Sequence, residues 1–102
     1  MDVISKQVEE LCQAEYEAAN ASHLPVASMH EGYALLKEEI EEARDEYVSA
    51  NVSLDSLWSA VRNDWNAQFE YTLANIKHRM LRCAVEAIQA AAVCDRIMDI
   101  HK

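Results

Sequence analysis

Apolar side chains recur along this chain at helical spacing, with few interruptions. Ile4, Val8, Leu11 and Ala18 fall near a 3.6-residue period and predict a first amphipathic helix over residues 2–20. The stretch from Asn20 to Ala27, which holds Pro25, ends it. Ser28 followed by Glu31 has the pattern of a capping box, in which the hydroxyl and the carboxylate each satisfy a free backbone N–H. A second helix therefore starts there and is expected to reach about Tyr47. Within it Tyr33, Leu36, Ile40, Ala43 and Tyr47 alternate in steps of three and four, a continuous apolar stripe. Leu35, Glu39, Glu42 and Glu46 lie on the strip beside that stripe, whereas Glu31, Glu38 and Asp45 point nearly the opposite way.

Asn51 to Ser53 reads as a break, with Ser53 or Asp55 as the next cap. No Gly or Pro follows as far as Lys102. A single helix of that length would extend for about 70 Å, too long for so small a domain. An interruption is therefore expected where Asn63, Asp64 and Asn66 cluster around Trp65. That leaves a short third helix over 54–62 and a long fourth one over about 67–100. The stretch AVEAIQAAAVC at 84–94 has two polar residues only, so its helix is expected to be buried on every side. Trp58 and Trp65 read as core aromatics rather than as a stacking surface for a base, and His30 as a surface residue.

Composition turns this pattern into a fold class. With 102 residues, one Gly and one Pro, the chain is read as a single all-α domain over 1–102. Its net charge of −9 excludes phosphate-backbone binding, which needs clustered Lys and Arg, so no nucleic-acid partner is expected. An acidic chain can still take a phosphorylated small molecule through a metal ion. No apolar run is long enough to cross a membrane and no signal-peptide pattern is visible, so a soluble cytoplasmic protein is expected. Cys12, Cys83 and Cys94 lack paired spacing. On one helix Cys83 and Cys94 would stand about 16 Å apart, too far to bridge. The thiols read as small buried hydrophobes in a reducing compartment.

Candidate chemistry gathers around Glu86 and Gln89, one turn apart in the apolar fourth helix. Arg82, Glu86, Gln89 and Val93 share a face. If the second and fourth helices pack antiparallel, Glu39 and Glu42 come opposite Glu86 and Gln89. Carboxylates converging in a low-dielectric groove repel one another, and a hard divalent cation relieves that repulsion. Four oxygen donors with water completing the shell suit Mg²⁺ or Mn²⁺. Just before Glu86 lie Lys77, His78, Arg79 and Arg82, the densest basic patch in the chain. Metal with nearby cations is what a polyphosphate requires. Taken alone, KEEIEE at 37–42 fits a solvated helix face, Glu86 with Gln89 fits a polar pair that sets helix register, and the basic patch fits an exposed turn. A di-iron bundle is excluded because no histidine has Glu three residues before it, a zinc site because paired ligands are missing, and a phosphate loop because Gly32 stands alone.

The pattern Glu38-Glu39-x-x-Glu42 followed by Glu86-x-x-Gln89 resembles the MazG-like all-α nucleoside triphosphate pyrophosphohydrolases, which carry EExxE and then ExxD. The phrases SMHEGYALLKEEIEE at 28–42 and EAIQAAAVCDRI at 86–97 resemble a phage and bacterial subgroup of that family. The resemblance implies a four-helix, MazG-like helical bundle completed by oligomerisation, as a homodimer or homotetramer. It implies hydrolysis of a (deoxy)nucleoside triphosphate to the monophosphate and pyrophosphate, through a metal-activated water. Carried over by position, Glu39, Glu42, Glu86 and Gln89 would ligate Mg²⁺ or Mn²⁺, and Glu38 or Glu42 would take the proton. Arg82, with Lys77 and Arg79, would neutralise the phosphate chain. Two departures stand out: Gln89 where the family has aspartate, and a spacer of 43 residues between Glu42 and Glu86 that is longer than usual. Nothing is carried over onto residues 48–76. The alternative is a catalytically silent helical interaction protein that keeps the scaffold.

Overall fold

The computed structural model describes residues 2–101, all helix apart from two short connections. Helix α1 spans Asp2–Ser22, α2 Met29–Asn63 and α3 Asn66–Met98, and a 3-10 turn follows at Asp99–His101. Among the described residues there are thus three α-helices rather than the four expected. The predicted break at 51–53 does not exist. Ser53 stays helical because its hydroxyl donates to Ser49 O (3.1 Å) and accepts from Asn75 Nδ2 (3.3 Å), so a residue that could have capped a helix joins two helices instead. The second and third predicted helices are one continuous α2.

Two of the helix boundaries that the sequence marked, the start of α2 and the reversal after it, are built as local chemistry dictates. Glu31 N donates to Ser28 Oγ (3.1 Å), and the Glu31 carboxylate accepts from Ala27 N (3.3 Å), one residue earlier than the ideal reciprocal bond. At the far end of α2, Trp65 N reaches Ala60 O (3.0 Å) and Asp64 N reaches Val61 O (3.4 Å). That pair is a Schellman closure, and it puts Asp64 at φ 54°, the left-handed region where Gly or Asn is more usual.

By packing, the chain divides into two units. The first takes residues 1–41 and 86–102: α1, the start of α2, the end of α3 and the 3-10 turn. Tyr16 Oη donates to Asp99 Oδ2 (2.5 Å), and Arg96, 9 % exposed, donates to Asn20 Oδ1 (3.3 Å) and Leu24 O (2.8 Å). Gly32 is buried where a Cβ would meet Ile97 Cγ1 at 2.8 Å, so α2 and α3 touch there at glycine distance. The second unit, residues 42–85, is an antiparallel hairpin of the rest of α2 and α3. Its ties are Cys83 Sγ to Ala43 O (3.4 Å), Arg79 to Glu46 (3.3 Å) and Asn75 to Ser53.

Burial departs furthest from expectation. The buried apolar residues are Val26, Ala50, Ala60, Ala90 and Ala92, and among the described residues no large side chain is fully buried. Ile4, Val8 and Leu11 of the first stripe are exposed, as are Tyr33, Ile40 and Tyr47 of the second. Trp58 and Trp65 are exposed too and are not core residues, while His30 is on the surface as expected. The 84–94 stretch is not buried all round: Ala90 and Ala92 are, but Ala84, Val85, Ala87 and Ala91 are exposed. Periodicity identifies which side of a helix is apolar; it does not say whether another part of the same chain covers it. No helix is long and apolar enough to cross a membrane among the described residues.

Candidate functional site

The acidic side chains converge partly as their spacing on α2 and α3 dictates. Within the first unit, one carboxylate oxygen of Glu39 and one of Glu86 lie within 4.8 Å. Both residues are half-buried, and the Oε2 atom of each is shut off from solvent. Two unit negative charges at that separation repel by roughly 1 kcal/mol in water and about 3 kcal/mol at an effective dielectric constant of 20. Glu42 follows Glu39 by one helical turn on α2 and is exposed. Glu39, Glu42, Glu86 and Arg82 each make a further interaction.

Gln89, one turn after Glu86, is half-buried and lines a cavity of about 240 Å³ in the first unit together with Glu39, Glu15, His23, Val93 and Arg96. A larger cavity of about 570 Å³ also includes Glu39, Val93 and Arg96, with Leu24 and Leu35 as apolar walls. Glu39 from α2 and Gln89 from α3 thus line one cavity with Glu15 and His23 from the end of α1 and the loop after it. Glu38 is exposed.

The basic residues separate. Lys77 and Arg82 are exposed, whereas Arg79 Nη1 is tied to Glu46 Oε2 at 3.3 Å inside the second unit. Arg82 precedes Glu86 by one helical turn on α3.

Arg96 is the site residue that sequence reasoning missed. It continues the face of Glu86, Gln89 and Val93 by one more step of three, and it is the buried cation of the cavity wall. Extending that face past Val93 would have found it, although its partners, the Asn20 side chain and the Leu24 carbonyl, are tertiary and carry no sequence signal. No protein-family model, curated protein or solved structure matches the chain.

Proposed function

We propose that this chain is a Mg²⁺- or Mn²⁺-dependent pyrophosphohydrolase that converts a (deoxy)nucleoside triphosphate to the monophosphate and pyrophosphate. The observation that carries the reading is the meeting of Glu39 and Glu86 from two helices, with Gln89 beside Glu39 in a cavity wall. Glu39, Glu42 and Glu86 would hold the ion and Gln89 would add a neutral donor. An all-oxygen donor set fits a hard cation. When bound, the ion supplies positive charge to the phosphate oxygens and a more acidic water.

The chain's own side chains do the rest. Glu38, in solvent, or Glu42 would accept the proton of the attacking water. Arg82 and Lys77 would neutralise the phosphate chain, and Arg79 would join only by leaving Glu46. The 570 Å³ cavity suits a nucleoside in size, with Leu35 and Val93 as apolar walls and Arg96 as a donor. The same reading includes a homodimer or homotetramer in which subunits complete a four-helix bundle, in keeping with the many exposed aliphatic and aromatic residues. Three free cysteines suit a reducing compartment, and we place the protein in the cytoplasm on that account.

A silent helical interaction protein is the second reading, favoured by the neutral Gln89 and by the capture of Arg79. A pyrophosphate-release screen over canonical and damaged nucleotides with Mg²⁺ separates the two. Release is expected from the native chain and should vanish in Glu86→Gln with helix content unchanged by circular dichroism. Release that survives in Glu86→Gln refutes the site, and none from the native chain with any nucleotide leaves the silent scaffold.

A further inference from the structure

Among the described residues Arg96 is the one charged side chain that is nine-tenths buried. Its hydrogen bonds go to neutral acceptors, from Nε to the Asn20 amide oxygen and from Nη2 to the Leu24 carbonyl. It forms no ion pair with a described residue, and both N–H groups of Nη1 and one of Nη2 are left without a protein acceptor. A buried cation is costly until a counterpart completes it. The cavities of about 240 and 570 Å³ in the first unit both open on this side chain. The smaller one also holds Glu15 of α1, half-buried, whose carboxylate makes no hydrogen bond or ion pair with a described residue. Donors and an acceptor that the fold does not satisfy thus line one space, with Ala19, Ala92 and Val93 as its apolar walls.

We infer that this space reads the base of the nucleotide and that the base is guanine, Arg96 donating to N7 and O6 while Glu15 accepts from N1–H and the 2-amino group. The inference deepens the proposed function and rests on it for the nucleotide. Arg96 follows Glu86 by about 15 Å of rise along α3, so phosphates gathered on an ion at Glu86 leave Arg96 to the far end of the ligand. With Glu39 and Gln89 given to the ion, Glu15 and Arg96 are the charged pair left in the smaller cavity. A bare anion would suit Arg96 but be repelled by Glu15. Guanine suits both. Its N7 and O6 accept side by side, the pattern that a guanidinium matches with two donors. Its N1–H and 2-amino group donate side by side, the pattern that a carboxylate matches with two oxygens. Adenine and cytosine carry an amino donor where guanine has O6 and would set it against the guanidinium. Uracil has a single N–H for the carboxylate and no second acceptor beside O4.

The test is binding of nucleosides to the native chain by ligand-observed NMR titration; they carry no phosphate and so report on the base apart from the ion. Guanosine should bind about tenfold more tightly than adenosine, cytidine or uridine. 7-Deazaguanosine, which lacks the N7 acceptor, and inosine, which lacks the 2-amino group, should each lose most of that advantage. Glu15→Gln keeps the side chain's size but cannot accept both donors, so it should bind guanosine and inosine alike with helix content unchanged by circular dichroism. Arg96→Lys should erase the difference between guanosine and 7-deazaguanosine. If that variant unfolds, 7-deazaguanosine on the native chain decides the same contact alone. Equal binding of the four bases, no binding of guanosine, or 7-deazaguanosine and inosine held as tightly as guanosine overturns the proposal. Selective guanosine binding without pyrophosphate release from any triphosphate upholds the base reader and removes the chemistry. Release from every triphosphate with no guanosine preference removes the base reader and leaves the chemistry.

Discussion

The half-buried thiol of Cys12, on α1, lies 3.8 Å from Asp95 Oδ2. Burial, and then the neighbouring carboxylate, push its pKa up from the ordinary thiol value. The sign of the consequence follows. The native state keeps this proton at a pH where the unfolded chain has lost it, so the contribution to stability is complete below the unfolded pKa. It is lost as pH rises towards the raised native one. Iodoacetamide should therefore modify Cys12 more slowly in the native protein than in the denatured chain at mildly alkaline pH, as read by peptide mass spectrometry. Equal rates would show that neither burial nor Asp95 acts on the thiol. The residue scale is also where the sequence is most legible: Ser28 and Glu31 cap α2 because both partners lie within one turn. Arg96 escapes notice because its partners are 76 and 72 positions away.

Between residues and the whole chain, helix contacts decide what spacing alone leaves open. Gly32 is the chain's one glycine and sits inside α2, where Gly costs about 1 kcal/mol relative to Ala. Its place is explained by Ile97, three of whose side-chain atoms would lie 2.8 to 3.3 Å from an added Cβ. Ile97 is branched at Cβ and cannot swing aside cheaply. Gly32→Ala should thus destabilise the protein by about 1–2 kcal/mol despite the gain in helix propensity, measured by chemical denaturation. In an Ile97→Ala background the same change should cost nothing or stabilise, and the difference is the coupling of the pair. If Gly32→Ala stabilises the native chain, the close approach of α2 and α3 is wrong. The same scale explains why the sequence predicts two helices where α2 is one. Asn51 and Ser53 look like breakers until Asn75 supplies the partner that keeps Ser53 within a helix. The reversal at Asp64 was legible because a cluster of Asn and Asp tolerates the left-handed residue that such a closure needs.

For the molecule as a whole, the sequence conveyed the all-helical class; face and period put Glu39 and Glu86 each at the edge of a packing surface, and their meeting needed in addition the antiparallel packing that the sequence only allowed. It did not convey how little of the apolar surface is covered within the chain, because a stripe has the same pattern whether its cover is internal or external. A metal ion that binds the native state alone shifts the global equilibrium: at ten times its Kd it adds about 1.4 kcal/mol. Melting with Mg²⁺ or Mn²⁺ should accordingly raise Tm by several degrees, and Glu86→Gln should remove most of that rise. An equal rise in the variant would place the ion elsewhere.

The two units also differ in how far along the chain their contacts reach. In the hairpin the ties span 22 to 40 positions and lead outward from the Asp64 reversal, whereas Tyr16 with Asp99 and Cys12 with Asp95 each close 83. Loop-closure entropy favours zipping the near contacts first. A chain that folds in this order brings Glu39 and Glu86, 47 positions apart, together after the hairpin ties and before α1 closes on the end of α3, so an ion held there would bear on folding as well as on unfolding.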